Sequence, residues 1–196
     1  MSVFKKLYEN NLSSILKKDN LFCFLVVIII FSFDRISKVK IIDHQTQNNQ
    51  IYINDFINFD LVWNTGIGFG FLSTNSNIIY NSITVIISLI ITFIIYLIIK
   101  SVFIDKLFLS FVLGGALGNL YDRLTYHAVP DFIDIHYKSF HWFTFNMADI
   151  FITVGIIMLL VKEIFIKNEK NYYHRTMFYF WIIFVFMWKC RKNIEK

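Results

Sequence analysis

Two aspartates lie in apolar sequence that offers nothing to neutralise them. Asp131 follows Pro130 in an apolar segment, Asp149 opens a long hydrophobic run, and neither has a lysine or arginine within four positions. Ionisable groups at membrane depth are costly and by default indicate a functional site. If the two side chains meet, like-charge proximity leaves one ionised and one protonated, as in aspartic-protease dyads. Such a pair can take a proton from water while donating one to a carbonyl oxygen, which predicts peptide hydrolysis.

Each aspartate also has a structural interpretation. Asp149 suits the first turn of a helix, where a carboxylate is favourable to the helix dipole. Asp131 can be an ordinary carboxylate of an outer loop, next to the turn-forming Pro130. Spacing and composition alone leave both interpretations open.

The composition is that of a membrane protein. Of 196 residues, 56% are hydrophobic and only 17% are charged, against about a quarter in soluble domains. The apolar stretches predict four transmembrane helices, near 21–38, 78–99, 103–123 and 146–166. Cys23 and Cys190 lie far apart in the chain, so we expect no structural disulfide.

Basic residues give the expected orientation. They concentrate before the first helix (Lys5, Lys6, Lys17, Lys18), between the second and third (Lys100, Lys106) and after the fourth (Lys167, Lys170, Arg175). The positive-inside rule makes these segments cytoplasmic. The connections near 39–77 and 124–145 then lie outside.

The expected organisation has three parts. Residues 1–20 form a cytoplasmic N-terminal segment without a cleavable signal peptide, residues 21–169 form the functional domain, and residues 170–196 form a cytoplasmic tail. The apolar run 177–188 reaches only about 18 Å as a helix, so we expect an interfacial anchor rather than a fifth span. Period-two alternation from Ile51 to Trp63 predicts short strands on the outer face. The fold class is therefore an all-α membrane protein, a four-transmembrane-helix bundle with a small outer-face β-rich platform.

Further polar clusters interrupt the apolar sequence, and the topology brings all of them to the outer side. Small residues of the third helix, Gly114, Gly115, Ala116 and Gly118, indicate close helix packing. Asp122 is most simply a buried structural partner of Arg123, or a tie to Asp34 or Lys38. His127, His136 and His141 lack the helical spacing of known zinc motifs, so we expect no metal and no cofactor.

In order and content these clusters resemble signal peptidase II, the lipoprotein signal peptidase family of bacteria. The similarity runs from about Asp34 to Gly155, and its motifs contain Asp34 and Lys38, Asn64-Thr65-Gly66, Gly114 to Arg123, Val129 to Ile133, and Phe145 to Gly155. One such motif would be weak, whereas five in order are specific.

The resemblance implies a four-helix aspartyl endopeptidase of the bacterial inner membrane. Its substrates would be prolipoproteins, cleaved before a diacylglyceryl-modified cysteine, and its other partner would be membrane lipid, with no nucleic acid. Asp131 and Asp149 would be the catalytic pair. Residues that line, order or support the site would be Asp34, Lys38, Asn64, Gly66, Asn119, Asp122, Arg123 and Asn146. We expect a monomer with both termini cytoplasmic and the active site near the outer face.

Three features depart from the family pattern: Pro130 replaces an aliphatic residue, Ile67-Gly68 replaces a common Ala-Ala, and the tail beyond about Lys170 matches nothing. Three other functions are considered. A carboxylate transporter or proton relay would spread its acids across the membrane instead of gathering them at one face. A presenilin-like protease would carry Gly-x-Gly-Asp, which this sequence lacks. A non-catalytic lipid- or lipopeptide-binding protein is the main alternative.

Overall fold

The structure, a computed structural model, describes residues 17–47, 51–66 and 77–165. Four helices and one four-stranded sheet make up this part of the chain. In order they are α1 (Lys18–Gln47), β1 (Ile51–Asn54), β2 (Ile57–Asn64), α2 (Asn77–Lys100), α3 (Phe103–Tyr126), β3 (Val129–Tyr137), β4 (Phe140–Phe145) and α4 (Met147–Phe165). The segment 177–188 and the glycines Gly68 and Gly70 lie outside the described residues.

Helix α1 is longer than the sequence predicts. It continues to Gln47, nine residues beyond Lys38. The charges near Asp34 do not end the helix because Asp34 and Lys38 are fully buried and bonded to each other across one helical turn. The pair is an i,i+4 pair, which supports a helix instead of interrupting it.

Three helices are long and apolar enough to cross a membrane: α1, α2 and α3. They present large apolar side chains outward, such as Leu89 and Leu124, each 65% exposed. Helix α4 is 19 residues long and equally apolar along most of its length, but it also carries Asp149, Lys162 and Glu163. At 1.5 Å per residue it reaches about 28 Å, close to the thickness of a bilayer core.

Helix α3 is the centre of the bundle and packs on α1, α2 and α4. Its glycines permit this, as the sequence predicts. A Cβ on Gly114 would lie 2.8 Å from Ile30 of α1, and one on Gly115 would lie 2.5 Å from the carbonyl oxygen of Ala148 in α4. From the other side, a Cβ on Gly155 of α4 would lie 2.7 Å from the carbonyl oxygen of Phe108. Backbone therefore meets backbone along the α3–α4 contact.

We predict that Gly115→Ala destabilises the protein by about 1–3 kcal/mol, because the added methyl group meets a backbone oxygen that cannot rotate away. The thermal unfolding midpoint in detergent measures this. Thr125→Ala, in the exposed last turn of the same helix, is the control and should leave the midpoint unchanged. An unchanged midpoint in Gly115→Ala would contradict the close α3–α4 contact.

The sheet is formed by two connecting segments, the one between α1 and α2 and the one between α3 and α4. Its strands are antiparallel in the order β1-β2-β3-β4. The sequence predicts strands only in the first connection, so the β3–β4 hairpin is new. Pro130 lies at the second residue of β3, opposite Trp63. Proline is tolerated there because the start of a strand needs few ladder hydrogen bonds.

Gln45 ties the extended end of α1 to this sheet. Its Nε2 donates to the carbonyl oxygen of Phe59 at 2.9 Å, and its Oε1 accepts from the backbone N–H of Leu61 at 2.6 Å. These bonds occupy the irregular part of β2, where the register with β3 shifts between Phe59 and Val62. The last turns of α1 thus hold the sheet against the bundle.

Candidate active site

Asn146 connects the two aspartates singled out in the sequence. Its Nδ2 donates to Asp131 Oδ1 on β3, while its Oδ1 accepts from the backbone N–H of Asp149 at 3.1 Å. The second bond is a helix N-cap, since Asn146 directly precedes α4 and Asp149 is its third residue. All three side chains are buried, with at most 4% exposure. One amide thereby fixes the end of a helix relative to a strand.

Asp131 is held from a second side by Asn64. Asn64 Nδ2 donates to Asp131 Oδ2 at 2.8 Å, so both oxygens of this carboxylate accept from an amide. Asn64 Oδ1 in turn accepts from the backbone N–H of Gly66 at 2.9 Å. The Asn64 side chain therefore shapes the turn after β2 and orients Asp131 at once.

Asp149 is bonded to the neighbouring helix. Asn119 Nδ2, on α3, donates to Asp149 Oδ1 at 2.9 Å, and Asn119 Oδ1 accepts from Lys38 Nζ at 2.9 Å. Because an ammonium can only donate, Lys38 fixes which end of the Asn119 amide faces the aspartate. The orientation of the donor to Asp149 thus depends on a lysine of α1.

Lys38 is the centre of a buried ionic network. Its Nζ donates to Asp34 Oδ2 at 2.8 Å and to Asp122 Oδ2 at 2.6 Å, and none of these three side chains is exposed. Arg35 Nη2 lies 2.5 Å from Asp122 Oδ1, and its guanidinium lies over the Tyr121 ring at 4.8 Å. Two carboxylates and two cations give the network no net charge, which is the condition under which buried charges persist.

The same network reaches the start of α4. Asp34 Oδ1 accepts from the backbone N–H of Ala148 at 2.9 Å, one of the N-terminal donors that a helix leaves unsatisfied. A Cβ on Gly118 would lie 2.4 Å from Asp34 Oδ2, so only glycine lets α3 pass here. Asp34 therefore positions the turn that carries Asp149.

Arg123 closes the site at the end of α3. Its Nη2 donates to the carbonyl oxygen of Gly66, and its own carbonyl oxygen accepts from the Tyr80 hydroxyl at 2.9 Å. Its positive charge interacts with both Asp131 and Asp149. Nε and Nη1 are buried and make no hydrogen bond within the described part of the chain. The guanidinium thus keeps the N–H donors of two nitrogens for another group.

The structure brings together every residue that the sequence analysis assigns to the site: Asp34, Lys38, Asn64, Gly66, Asn119, Asp122, Arg123, Asp131, Asn146 and Asp149. Asp122 bonds to Lys38, which is the structural tie expected of it. Asp149 lies in a first helical turn, and Asp131 lies on strand β3 instead of in a loop.

Two residues that help to hold the site in place were not predicted from the sequence. Tyr80 of α2 fixes the Arg123 backbone through its hydroxyl, and Gln45 holds β2. Neither stands within a recognisable motif. For Tyr80, the sequence offers one signal, a tyrosine one turn into an otherwise apolar helix.

The histidines considered for metal binding separate into two groups. His127 caps the end of α3 with a left-handed backbone, φ 55°, and precedes strand β3, so it is not part of the ladder. His136 and His141 instead lie opposite each other on β3 and β4, next to Asp134. Helical spacing could not indicate this grouping, because it arises from strand pairing.

Comparisons with known proteins agree with one another. A family model described as signal peptidase (SPase) II matches residues 26–165. A lipoprotein signal peptidase from Pelagibacter ubique (strain HTCC1062) is 47% identical over 150 residues, covering 75% of this chain and 90% of that protein. One from Anaplasma phagocytophilum (strain HZ) is 36% identical over 150 residues, covering 75% of this chain and 94% of that protein.

A solved structure described as a bacterial membrane enzyme, obtained by the in meso method at 2.3 Å resolution, is similar in fold. Its TM-score is 0.63 at 27% identity, and the match covers 76% of this chain and 93% of that one. The matched family region contains all four described helices apart from the first turns of α1.

Proposed function

Since this chain belongs to the signal peptidase II family, we propose that it is an aspartyl endopeptidase that removes signal peptides from prolipoproteins within the membrane. The observation that carries the proposal is the double role of Asn146, which bonds Asp131 and caps the helix that bears Asp149. One amide thus holds the buried carboxylate of Asp131 and the backbone of Asp149, and this arrangement supports acid–base chemistry by the two carboxylates on a shared water.

The mechanism follows from the bonds around the two carboxylates. One of them takes a proton from a water molecule as the water oxygen attacks the scissile carbonyl carbon, and the other, protonated, donates to the carbonyl oxygen. The first carboxyl then gives its proton to the leaving nitrogen while the second takes one back from the tetrahedral intermediate, so the C–N bond breaks and the pair returns to its starting state. The amides of Asn64, Asn119 and Asn146 hold the oxygens in place, which lowers the cost of orienting them at the moment of reaction.

Arg123 suits the role of a substrate-positioning residue. Its Nε and Nη1, which have no partner among the described residues, can donate to a backbone carbonyl of the signal peptide. An apolar environment strengthens such a bond, because water competes little for it. The substrate peptide would then lie between the end of α3 and the turn after Asn64.

We further propose four transmembrane helices, α1 to α4, in the bacterial inner membrane with both termini cytoplasmic. Support comes from the end of the bundle opposite the site, where Lys106 bonds Asn20 and Lys162 pairs with Asp105. With the basic end cytoplasmic, the catalytic pair and the sheet lie near the outer face. There the sheet and its exposed aromatics, such as Trp63, would meet the diacylglyceryl chains of the substrate.

The test is cleavage by the purified protein in detergent. A prolipoprotein carrying a diacylglyceryl-modified cysteine is compared with the same prolipoprotein lacking the lipid. We expect cleavage of the first and at least about tenfold slower cleavage of the second, because remote binding energy contributes to turnover. Well-folded protein that cleaves neither substrate but retains the lipidated one would favour the non-catalytic lipopeptide-binding alternative.

Replacing Asn146 tests its double role. Asn146→Ala removes the cap and one of the two amides on Asp131, so we expect a loss of about 1 kcal/mol of stability and about 100-fold in kcat. Asn146→Ser is the matched variant, since serine also caps helices but cannot reach Asp131 as an amide does. It should recover stability and not kcat. Equal recovery of both would contradict the double role.

A further inference from the structure

The β3–β4 hairpin carries a second group of side chains that the proposed reaction does not use. Asp134, His136 and His141 offer three ligand atoms that all lie within 4.8 Å of one another. Asp134 and His136 are two residues apart on β3, so they face the same side of the strand. His141 stands directly opposite His136 on β4.

A β-bulge brings the side chains of His136 and His141 together. On β4, Phe143 pairs with Ile135 and His141 pairs with His136, so Trp142 is the extra residue between them. A bulge of this kind redirects the side chains beside it. The two imidazole rings are consequently stacked, with centroids 5.3 Å apart and planes inclined by 24°.

The three ligand atoms converge on one point. Asp134 Oδ2 lies 2.7 Å from His141 Nδ1 and 3.5 Å from His136 Nδ1. At metal–ligand distances of about 2.0–2.2 Å, two ligands of a tetrahedral ion are about 3.4 Å apart. The His136 distance already fits. His141, whose side chain is 55% exposed, needs to open by less than about 1 Å.

A buried amide supplies the independent observation. Asn58 is directly across from Asp134 on β2, is 8% exposed, and its Oδ1 has no hydrogen-bond partner among the described residues. Its Nδ2 lies 3.4 Å from His136 Nε2. A half-turn of the amide brings Oδ1 to that nitrogen, where it accepts the Nε2 proton. The lone pair is then on Nδ1, which is buried, makes no hydrogen bond in the described part of the chain and faces Asp134.

We propose that Asp134, His136 and His141 bind a divalent transition-metal ion of the Zn²⁺ class, with Asn58 as the outer partner of His136. Two imidazole nitrogens and one carboxylate oxygen form a donor set that Zn²⁺ accepts, with a fourth position left for water. A carbonyl oxygen on the second ring nitrogen is the usual support of a metal-bound histidine. The ion would join β3 to β4. It would lie about 10 Å along β3 from Asp131, three residues away.

Zinc binding by the full chain tests the proposal. Untagged protein in detergent is equilibrated with Zn²⁺, freed of excess metal and assayed for bound zinc, and Co²⁺ replaces Zn²⁺ for the visible absorption of a four-coordinate site. We expect about one ion per chain and at least about tenfold weaker binding in His141→Ala. His141→Gln is the second variant, and thermal melting in metal-free buffer shows that each is folded. His127→Asn, which tolerates the left-handed backbone, should bind as the original protein does.

Three results would overturn the proposal: no zinc retained by the folded protein, zinc retained equally by His141→Ala and by Asp134→Asn, or zinc lost in His127→Asn. Cleavage activity is not a readout here, so the metal site and the peptidase proposal fail or survive independently. A zinc-dependent rise in the melting temperature that disappears in His141→Ala gives the same answer by a second route.

Discussion

Asp149→Asn is expected to lower the rate of signal-peptide cleavage by at least about 1,000-fold while the protein stays folded. The substituted amide keeps an oxygen that can accept from Asn119, and the backbone N–H of residue 149 still donates to Asn146. What is lost is the group that takes up and returns a proton. Single-turnover cleavage of the lipidated prolipoprotein measures the loss. Retention of the uncleaved prolipoprotein by the variant enzyme shows that binding persists.

Asp131→Asn should produce a loss of the same order, because neither carboxylate can complete the proton transfer alone. Asp55→Asn is the matched control. Asp55 belongs to the exposed turn between β1 and β2, so its replacement should leave cleavage within about twofold. Full cleavage by the double variant of Asp131 and Asp149 would end the aspartyl mechanism and leave the family assignment untouched.

Lys38→Met is expected to cost about 3–5 kcal/mol of unfolding free energy, the largest effect on stability that we predict. Removing this ammonium leaves Asp34 and Asp122 buried with only Arg35 to balance them. It also removes the donor that orients Asn119. The free energy of unfolding, measured by equilibrium unfolding in detergent, and the cleavage rate should therefore decrease together.

Lys40→Met provides the control, since Lys40 is exposed two residues further along α1 and should change stability by less than about 0.5 kcal/mol. The double variant Asp34→Asn, Lys38→Met restores charge balance in the network. We expect it to be more stable than the sum of the single changes predicts. Additive effects would mean that the two side chains contribute separately.

The helical part of the site could be predicted because its signals are local. Asp34 and Lys38 share a face of one helix, and Gly114 to Arg123 form one continuous motif. Residues that are close in the sequence are therefore also close in the structure. The end of α1 could not be predicted. The sequence predicts a helix end near Lys38, and the residue that lets Lys38 be buried inside a longer helix, Asp122, comes 84 residues later.

The sheet was harder because its pairing is not local. Pro130 argues against a central strand, yet β3 is central; at Pro130 it pairs with β2 alone, because its pairing with β4 begins at Ile133. The turn at Lys138, with φ 55°, has no glycine to mark it. His136 and His141 come together only through this hairpin and its bulge, so their spacing along the sequence does not predict the grouping.

The bond between Asp34 and Lys38 also bears on how the chain enters the bilayer during synthesis. Helix α1 emerges from the ribosome long before Asp122 exists, and a lone ammonium at membrane depth would resist insertion. Because Asp34 lies one turn away at 2.8 Å, α1 brings a counterion for Lys38, and residues 34–38 enter with a net charge of +1 instead of the +2 that Arg35 and Lys38 would give alone. Asp122 of α3 pairs with both Arg35 and Lys38, so the charges of α1 are fully balanced only once α3 has packed against it.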